Sequence, residues 1–186
     1  LDASSHSNLI LLIGGAGYIG SSVLKYLLDN GYNVRLLDLL LYSDNSITDY
    51  LKHPNLEIHT ADFRDTGSLI KCMRGVDSVI HLGGLVGDPA CAWDEELTVE
   101  VNLVATRTIA EIAIAYKVKR FIFASTCSVY GASDHVLDEN SSLNPVSLYA
   151  RSKIASEKVL LSLKSSEFHP IILRFGTIFG FSVEKK

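Results

Sequence analysis

Short runs of consecutive apolar residues alternate along this chain with longer stretches whose apolar positions recur every three or four residues. The first kind suits strands buried on both faces and the second amphipathic helices; their alternation marks βαβ units around a parallel sheet. The pattern predicts strands at Leu9–Ile13, Asn33–Asp38, Leu56–Thr60, Val76–Leu82, Arg120–Ser125 and Pro170–Phe175. Helices are predicted at Tyr18–Asp29, Gly67–Met73, Glu96–Tyr116 and Ser147–Leu163, while Tyr42–Lys52 reads as a loop with a short helix. Because runs such as Leu9-Ile10-Leu11-Leu12-Ile13 and Phe121-Ile122-Phe123-Ala124 show no polar alternation, helices are expected over both sheet faces. No repeat, low-complexity tract or linker interrupts the pattern. The expected architecture is a single α/β domain, a doubly wound parallel sheet of the Rossmann type over residues 1–186, with 1–8 a flexible N-terminal segment.

Composition narrows the functions this domain can have. At 186 residues and 47% hydrophobic content, the chain can bury a proper core and is not disordered. Its 17 Lys+Arg against 21 Asp+Glu give a net charge of −4 with no basic cluster, which excludes the electrostatic footprint of a nucleic-acid binder. Cys72, Cys91 and Cys127 are odd in number and far apart, matching neither a disulfide framework nor a zinc site, so a reducing, cytoplasmic location is expected. The six histidines are scattered and no metal site is expected. No apolar run reaches the roughly 18 residues of a membrane span, and Leu1-Asp2-Ala3-Ser4-Ser5-His6 lacks the features of a signal peptide. The only methionine is Met73, so one or both natural ends are expected to be missing.

The first predicted strand runs into Gly14-Gly15-Ala16-Gly17-Tyr18-Ile19-Gly20 and then a helix. Glycines at this spacing permit a tight turn, close approach of backbone to a pyrophosphate, and close packing of helix on strand, with the anion at the helix N-terminus. Asp38 ends the next strand 18 residues after Gly20, where a carboxylate accepts hydrogen bonds from ribose hydroxyls and repels a 2′-phosphate, favouring NAD over NADP. Asp62-Phe63 follows the third strand; Asp62 either contacts the adenine or caps the next helix. The fourth strand ends in His81-Leu82-Gly83-Gly84, whose small residues let backbone pass near a cofactor, whereas His81 itself reads as a packed structural residue. Val86-Gly87-Asp88-Pro89-Ala90-Cys91 reads as a turn beside the substrate region, and Cys91 and Cys127 as small packing residues.

Tyr149 and Lys153 lie at i, i+4 in a predicted helix and so share one face. A phenol of pKa about 10 acts as a base near neutrality only with a cation beside it, which Lys153 supplies. The strand Arg120–Ser125 and the residues after it bring Ser125, Thr126 and Ser128 to a carboxyl end, where substrates bind in such sheets.

The ordered set Gly14/Gly17/Gly20, Asp38, Asp62, His81-Leu82, Asn102, Ser125-Thr126, Tyr149/Lys153 and Leu173-Arg174 resembles the extended short-chain dehydrogenase/reductase family, in particular its NAD-dependent sugar-nucleotide epimerase and dehydratase branch. The resemblance covers Leu9 to Gly180. It implies Tyr149 as general acid/base, Lys153 as the partner that binds the nicotinamide ribose and tunes Tyr149, and Thr126 as the hydroxyl that holds the reacting sugar. It further implies NAD contacts from Gly14, Gly17, Tyr18, Ile19, Gly20, Asp38, Asp62, Phe63, Leu82, Gly83, Gly84, Asn102, Ser125, Tyr149 and Lys153. Asn102 is either structural or a support to the site. The implied reaction is transient oxidation of a nucleotide-sugar to a keto-sugar. Dehydratases of the family carry Asp-Glu after the catalytic threonine; here Thr126 precedes Cys127-Ser128, which points to an epimerase.

Relatives of this kind are usually about twice as long, so the C-terminal region that holds the nucleotide of the substrate is expected to be missing. Two other readings remain open: an NAD(P)-dependent reductase or dehydrogenase of a non-sugar carbonyl or alcohol, and a catalytically silent dinucleotide-binding module. A homodimer is expected through the helices Glu96–Tyr116 and Ser147–Leu163, although Ile109, Ile112, Ala113 and Leu160 equally suit helices covering the sheet.

Overall fold

Leu9–Ile13 forms the first strand, β1, in a computed structural model that describes residues 8–41 and 45–180. It is followed by α1 (Tyr18–Asp29), β2 (Asn33–Asp38), a 3₁₀ turn (Asn45–Tyr50), β3 (Leu56–Thr60), α2 (Thr66–Met73) and β4 (Ser78–His81). Then come α3 (Asp88–Trp93), α4 (Glu95–Val99), a π-helical segment (Glu100–Val104), α5 (Ala105–Ala115), β5 (Arg120–Thr126), a second 3₁₀ turn (Cys127–Tyr130), α6 (Leu148–Ser162) and β6 (His169–Phe175). All six strands are parallel, in the order β3-β2-β1-β4-β5-β6. This is the doubly wound arrangement expected, with its switch point between β1 and β4. The flexible segment expected at 1–8, apart from Asn8, and the chain end at 181–186 lie outside the described residues.

Side chains of β1 alternate between two cores. Leu11 and Ile13 join Leu69, Met73, Val79, Ile109, Phe121 and Leu160 on the side of α2, α5 and α6, while Ile10 and Leu12 join Leu24, Leu28, Leu36 and Ile47 on the side of α1. The second face is not covered evenly. Leu12, Ile80, Ile122 and Ile171 stand in register from β1 to β6, and exposure rises from nothing at Leu12 to 43% at Ile171. Helices therefore cover both faces of β1 and β2 but, among the described residues, only one face of β5 and β6.

Several expected elements differ in extent. The strand expected at Val76–Leu82 is shorter, Ser78–His81: the Val76 amide donates to the Met73 carbonyl in a turn, while the flanking Asp77 and Leu82 amides still donate to Leu9 and Ile13 of β1. The single helix expected at Glu96–Tyr116 is three consecutive helical segments, with one extra residue per turn at Glu100–Val104. Val86–Cys91 is more than a turn: Gly87, at φ 89°, reverses the chain and Pro89 sits in the first turn of α3. The ambiguous Tyr42–Lys52 contains the 3₁₀ turn, with 42–44 outside the described residues. Ile109, Ala113 and Leu160 are buried against the sheet, with Ile112 packed beside them, so these residues belong to the core and not to a subunit interface.

Candidate active site

The carboxyl ends of the strands open into one cleft of about 690 Å³. Fourteen of the expected site residues line it: Gly14, Gly17, Tyr18, Ile19, Gly20, Asp38, Phe63, Leu82, Gly83, Gly84, Ser125, Thr126, Tyr149 and Lys153. Asp62 and Asn102 do not.

The glycine loop has a different reason for glycine at each position. Gly14 adopts φ +77°, and a Cβ there would lie 2.6 Å from the Gly83 nitrogen, so β1 and β4 can diverge this closely only without a side chain. A Cβ on Gly20 would collide with the Gly14 carbonyl oxygen, which brings α1 hard against the turn. Gly17, the N-cap of α1 at φ −74°, is different: a Cβ would meet only the Gly14 oxygen, at 3.5 Å, and otherwise project into open space at the cleft. No side chain caps α1 and no acidic residue stands in its first turn, so its leading amides are left to an anion in the cleft.

Asp38 fixes the loop while facing the cleft. Its Oδ2 accepts from the Ala16 amide at 3.0 Å and its Oδ1 from the Leu40 amide at 2.9 Å, which leaves further lone pairs for hydroxyl donors. The Ser46 hydroxyl donates to the Ala16 carbonyl at 2.6 Å, a support from the 3₁₀ turn that carries no sequence signature. Asp62 is turned elsewhere. The Arg64 guanidinium grips both its oxygens at 2.6–3.1 Å and holds its carboxyl below the ordinary carboxylate range, while the cap of α2 is Asp65, which accepts from Gly67 and Ser68 amides. Asp62 is thus neither the cap nor a wall of the cleft; Phe63, beside it, is the residue that reaches in.

Asn102 is a buried brace. Its Oδ1 accepts from the Leu85 amide at 2.9 Å, and its Nδ2 donates to the Leu85 carbonyl at 3.0 Å and the Ser152 hydroxyl at 3.2 Å. The hydroxyls of Thr106 and Ser156 both donate to the Asn102 carbonyl, at 2.7 and 2.8 Å. One residue therefore ties the Gly83-Gly84-Leu85 loop, the central helices and α6 together. His81 is structural, as expected: it is buried among Phe63, Phe121 and Phe123. Because the Thr106 hydroxyl spends its hydrogen on Asn102, the His81 Nε2 is the donor in their 3.1 Å bond, and Nδ1 is a bare lone pair without a partner. Burial pushes the His81 pKa down to about 3, so the ring stays neutral.

Tyr149 and Lys153 emerge from α6, whose N-cap Ser147 accepts from the Ala150 amide. The Lys153 ammonium donates to the Ala124 carbonyl at 3.0 Å and stands 4.6 Å from the Phe123 ring centroid and 6.0 Å from that of Tyr149. Burial lowers its pKa to about 8, so most of it remains charged at neutrality. Burial also raises the Tyr149 phenol above its ordinary value, with the Thr126 hydroxyl pulling the other way. Desolvation is the largest cause, and the phenol thus holds its proton here.

Thr126, the last residue of β5, donates to the Ser128 hydroxyl and accepts from the Ser128 amide, both at 3.1 Å. Cys127, immediately past the strand end, is exposed and not the packing residue expected; Cys91 is buried. Ser128, expected at this strand end, and Asp88, from the stretch expected beside the substrate, both line the cleft, as does Gly176, which follows β6 and which the sequence did not single out. Glu157, one helical turn beyond Lys153, is buried in an ion pair with Arg174; the i, i+4 spacing was its only signal. Among the described residues, no cluster suited to a metal ion occurs and no helix is long and apolar enough to cross a membrane.

A model of the NAD dependent epimerase/dehydratase family matches residues 10–186. UDP-glucose 4-epimerase 4 of Oryza sativa subsp. japonica is 30% identical over 184 residues, covering 93% of this chain and 50% of that protein. UDP-glucose 4-epimerase of Rhizobium meliloti is 33% identical over 163 residues, covering 83% and 46%. Among solved structures, the UDP-Glc/GlcNAc 4-epimerase from Campylobacter jejuni superposes with a TM-score of 0.83 at 31% identity, covering 89% of this chain and 52% of the other. The UDP-glucuronic acid 4-epimerase from Bacillus cereus, in complex with UDP-glucuronic acid and NAD, does so with a TM-score of 0.83 at 27% identity, covering 89% and 55%. The chain spans about half the length of the curated relatives it matches.

Proposed function

The chain belongs to the NAD-dependent epimerase/dehydratase family, and from that premise we propose that it carries the cofactor site and the acid/base chemistry of an NAD-dependent nucleotide-sugar epimerase. The observation that carries the proposal is the meeting of the glycine loop, Asp38, Thr126, Tyr149 and Lys153 in one cleft.

The cleft suits NAD in its own geometry. The open side of Gly17 and the uncapped amides of α1 would hold the pyrophosphate, Asp38 the adenosine ribose and Lys153 the other ribose. When bound, NAD supplies a hydride acceptor that can return the hydride, so that the sugar passes through a ketone. Tyr149 Oη handles the proton. In the oxidative half it would act as the phenolate, taking a proton from the sugar hydroxyl; Lys153, the only cationic side chain lining the cleft among the described residues, together with the positive charge of bound NAD⁺, would favour that form. In the reductive half Oη returns the proton to the carbonyl oxygen, a step suited to a phenol whose pKa burial has raised. The Thr126 hydroxyl positions the reacting oxygen. Cys127 and Ser128 after Thr126 supply no carboxyl acid or base for elimination of water, which favours epimerisation over dehydration.

The relatives named for UDP-sugars support a UDP-sugar as the first substrate to test. Mass spectrometry of nucleotides released on denaturation, together with interconversion of UDP-glucose and UDP-galactose, tests the reading. NAD is the expected nucleotide, and Tyr149→Phe is expected to lower turnover by about 10²–10⁴ while retaining it. Bound NADP, or full activity in Tyr149→Phe, overturns the reading. A cytoplasmic homodimer is part of the same proposal: three unpaired cysteines suit a reducing compartment, and Val99, Val104 and Leu161 are exposed apolar residues on the helices concerned. Sedimentation showing only monomer at high concentration would count against the dimer.

A further inference from the structure

Tyr149, Lys153 and Glu157 follow one another at successive turns of α6, and all three are buried. The Glu157 carboxylate is fully engaged. Arg174 from β6 reaches it with Nε at 3.2 Å to both oxygens and Nη2 at 2.7 Å, and the Ser125 hydroxyl donates to Oε1. Arg174 is itself held, donating to the Tyr130 hydroxyl at 3.0 Å and the Glu139 carbonyl at 3.3 Å, with its guanidinium 5.2 Å from the Tyr130 ring centroid. Ser125 lies between Ala124, whose carbonyl accepts from Lys153, and Thr126, which lines the cleft. A ring of contacts therefore closes across two elements: Lys153 to Ala124, along β5 to Ser125, from Ser125 to Glu157, and back along α6 to Lys153.

We propose that Glu157 is a positioning residue for Lys153: clamped by Arg174 and Ser125, it keeps a counter-charge one helical turn from the ammonium and fixes the strand end that carries the ammonium's carbonyl partner. The inference rests on the reading of Tyr149 and Lys153 as the working pair. Burial works against the Lys153 charge, and Cys91 and then Glu157 work for it; of these two only Glu157 is a carboxylate locked in an ion pair. The other groups facing the ammonium are the Tyr149 phenol, held protonated by burial, and His81 from β4, held neutral; Arg174 stands beyond Glu157 and partly offsets it. An ion pair serving only the fold would hold β6 to α6 without acting on Lys153.

The test is an NMR titration of the Lys153 side chain in cofactor-free protein with isotope-labelled lysine, the signal assigned with Lys153→Met. In Glu157→Gln the midpoint is expected to fall by about one unit, a tenfold shift toward the uncharged form. Mere loosening of the structure moves it the other way, since admitting water returns a buried lysine toward 10.5. A midpoint unchanged or raised in folded Glu157→Gln overturns the proposal. If that variant fails to fold, Glu157→Met with Arg174→Met removes the ion pair as a unit, a replacement buried cores often tolerate, and a smaller fall in the same direction is expected because the offsetting Arg174 charge goes too; an unchanged or raised midpoint in the folded double variant overturns the proposal as well. The titration needs neither cofactor nor substrate. An unmoved midpoint therefore defeats this inference alone, whereas full activity in Tyr149→Phe defeats the functional reading alone.

Discussion

Replacing Gly17 by alanine separates the folding of the glycine loop from its use. At φ −74° and ψ 178° the backbone suits alanine, and the new methyl group meets only the Gly14 oxygen, at an ordinary 3.5 Å. Alanine is a poorer N-cap than glycine by up to about 1 kcal/mol. It also lowers the entropy of the unfolded chain, which offsets about 0.4–1 kcal/mol of that cost. Stability is therefore expected to stay within about 1 kcal/mol of the wild type, or about 4 °C in Tm for a domain of this length. Binding should behave differently. The methyl group projects where an anion would approach the first-turn amides of α1, and weakening one hydrogen bond to a charged group costs about 1.5–3 kcal/mol. NAD affinity is thus expected to fall about 10- to 150-fold. Calorimetric titration with NAD, alongside a circular-dichroism melt, measures both quantities. Unchanged affinity in a stably folded variant would refute the assignment of the Gly17 face to the pyrophosphate. Gly14→Ala is the contrasting case. Its φ of +77° and the 2.6 Å approach to Gly83 make it a folding variant, destabilised by about 2–4 kcal/mol before binding is considered.

Other outcomes follow from the same geometry. Asp38→Ser is expected to raise the ratio of NADP to NAD affinity by removing the carboxylate at the ribose; an unchanged ratio in paired titrations would contradict that role. His81 gives a pH signature: its folded pKa of about 3 lies below the unfolded 6.5, so it imposes no cost above pH 6.5 and costs stability as pH falls toward 3. Between pH 7 and 5 this amounts to about 2 kcal/mol, which urea unfolding should show in the wild type and not in His81→Gln; equal pH slopes would rule it out. Ile171→Thr, on the poorly covered face of β6, is expected to cost less than about 1 kcal/mol in a urea melt while reducing binding of a hydrophobic dye; a core-sized loss would mean that this face is covered after all.

Much of the fold was legible because local patterns and global architecture agree. The limits of β1, β2, β3 and α1 coincide with those expected, and for β1 and β2 the reason is that strands buried between layers leave little room for polar residues. The Tyr149/Lys153 spacing and the glycine loop could be read because helix period and turn sterics are local constraints. The placement of Thr126 at a strand end was legible because β5 is one unbroken run.

What the tertiary structure alone decided involves partners distant in sequence. That Arg64 pairs with Asp62, and that the Asn102 amide bonds Leu85 and Ser152, could not be read from the sequence. The raised Tyr149 phenol and lowered Lys153 ammonium arise from desolvation, a property of the packed surroundings and not of the i, i+4 pair. Glu157 shows the same division most plainly. Its position one turn from Lys153 was written in the sequence, whereas its grip by Arg174 and Ser125 exists only because β5 and β6 pair in register beneath α6. Sequence determined the elements and the types of chemistry each could present; long-range packing determined which groups meet and which charges they keep, because hydrogen bonding and dielectric surroundings are set by neighbours in space.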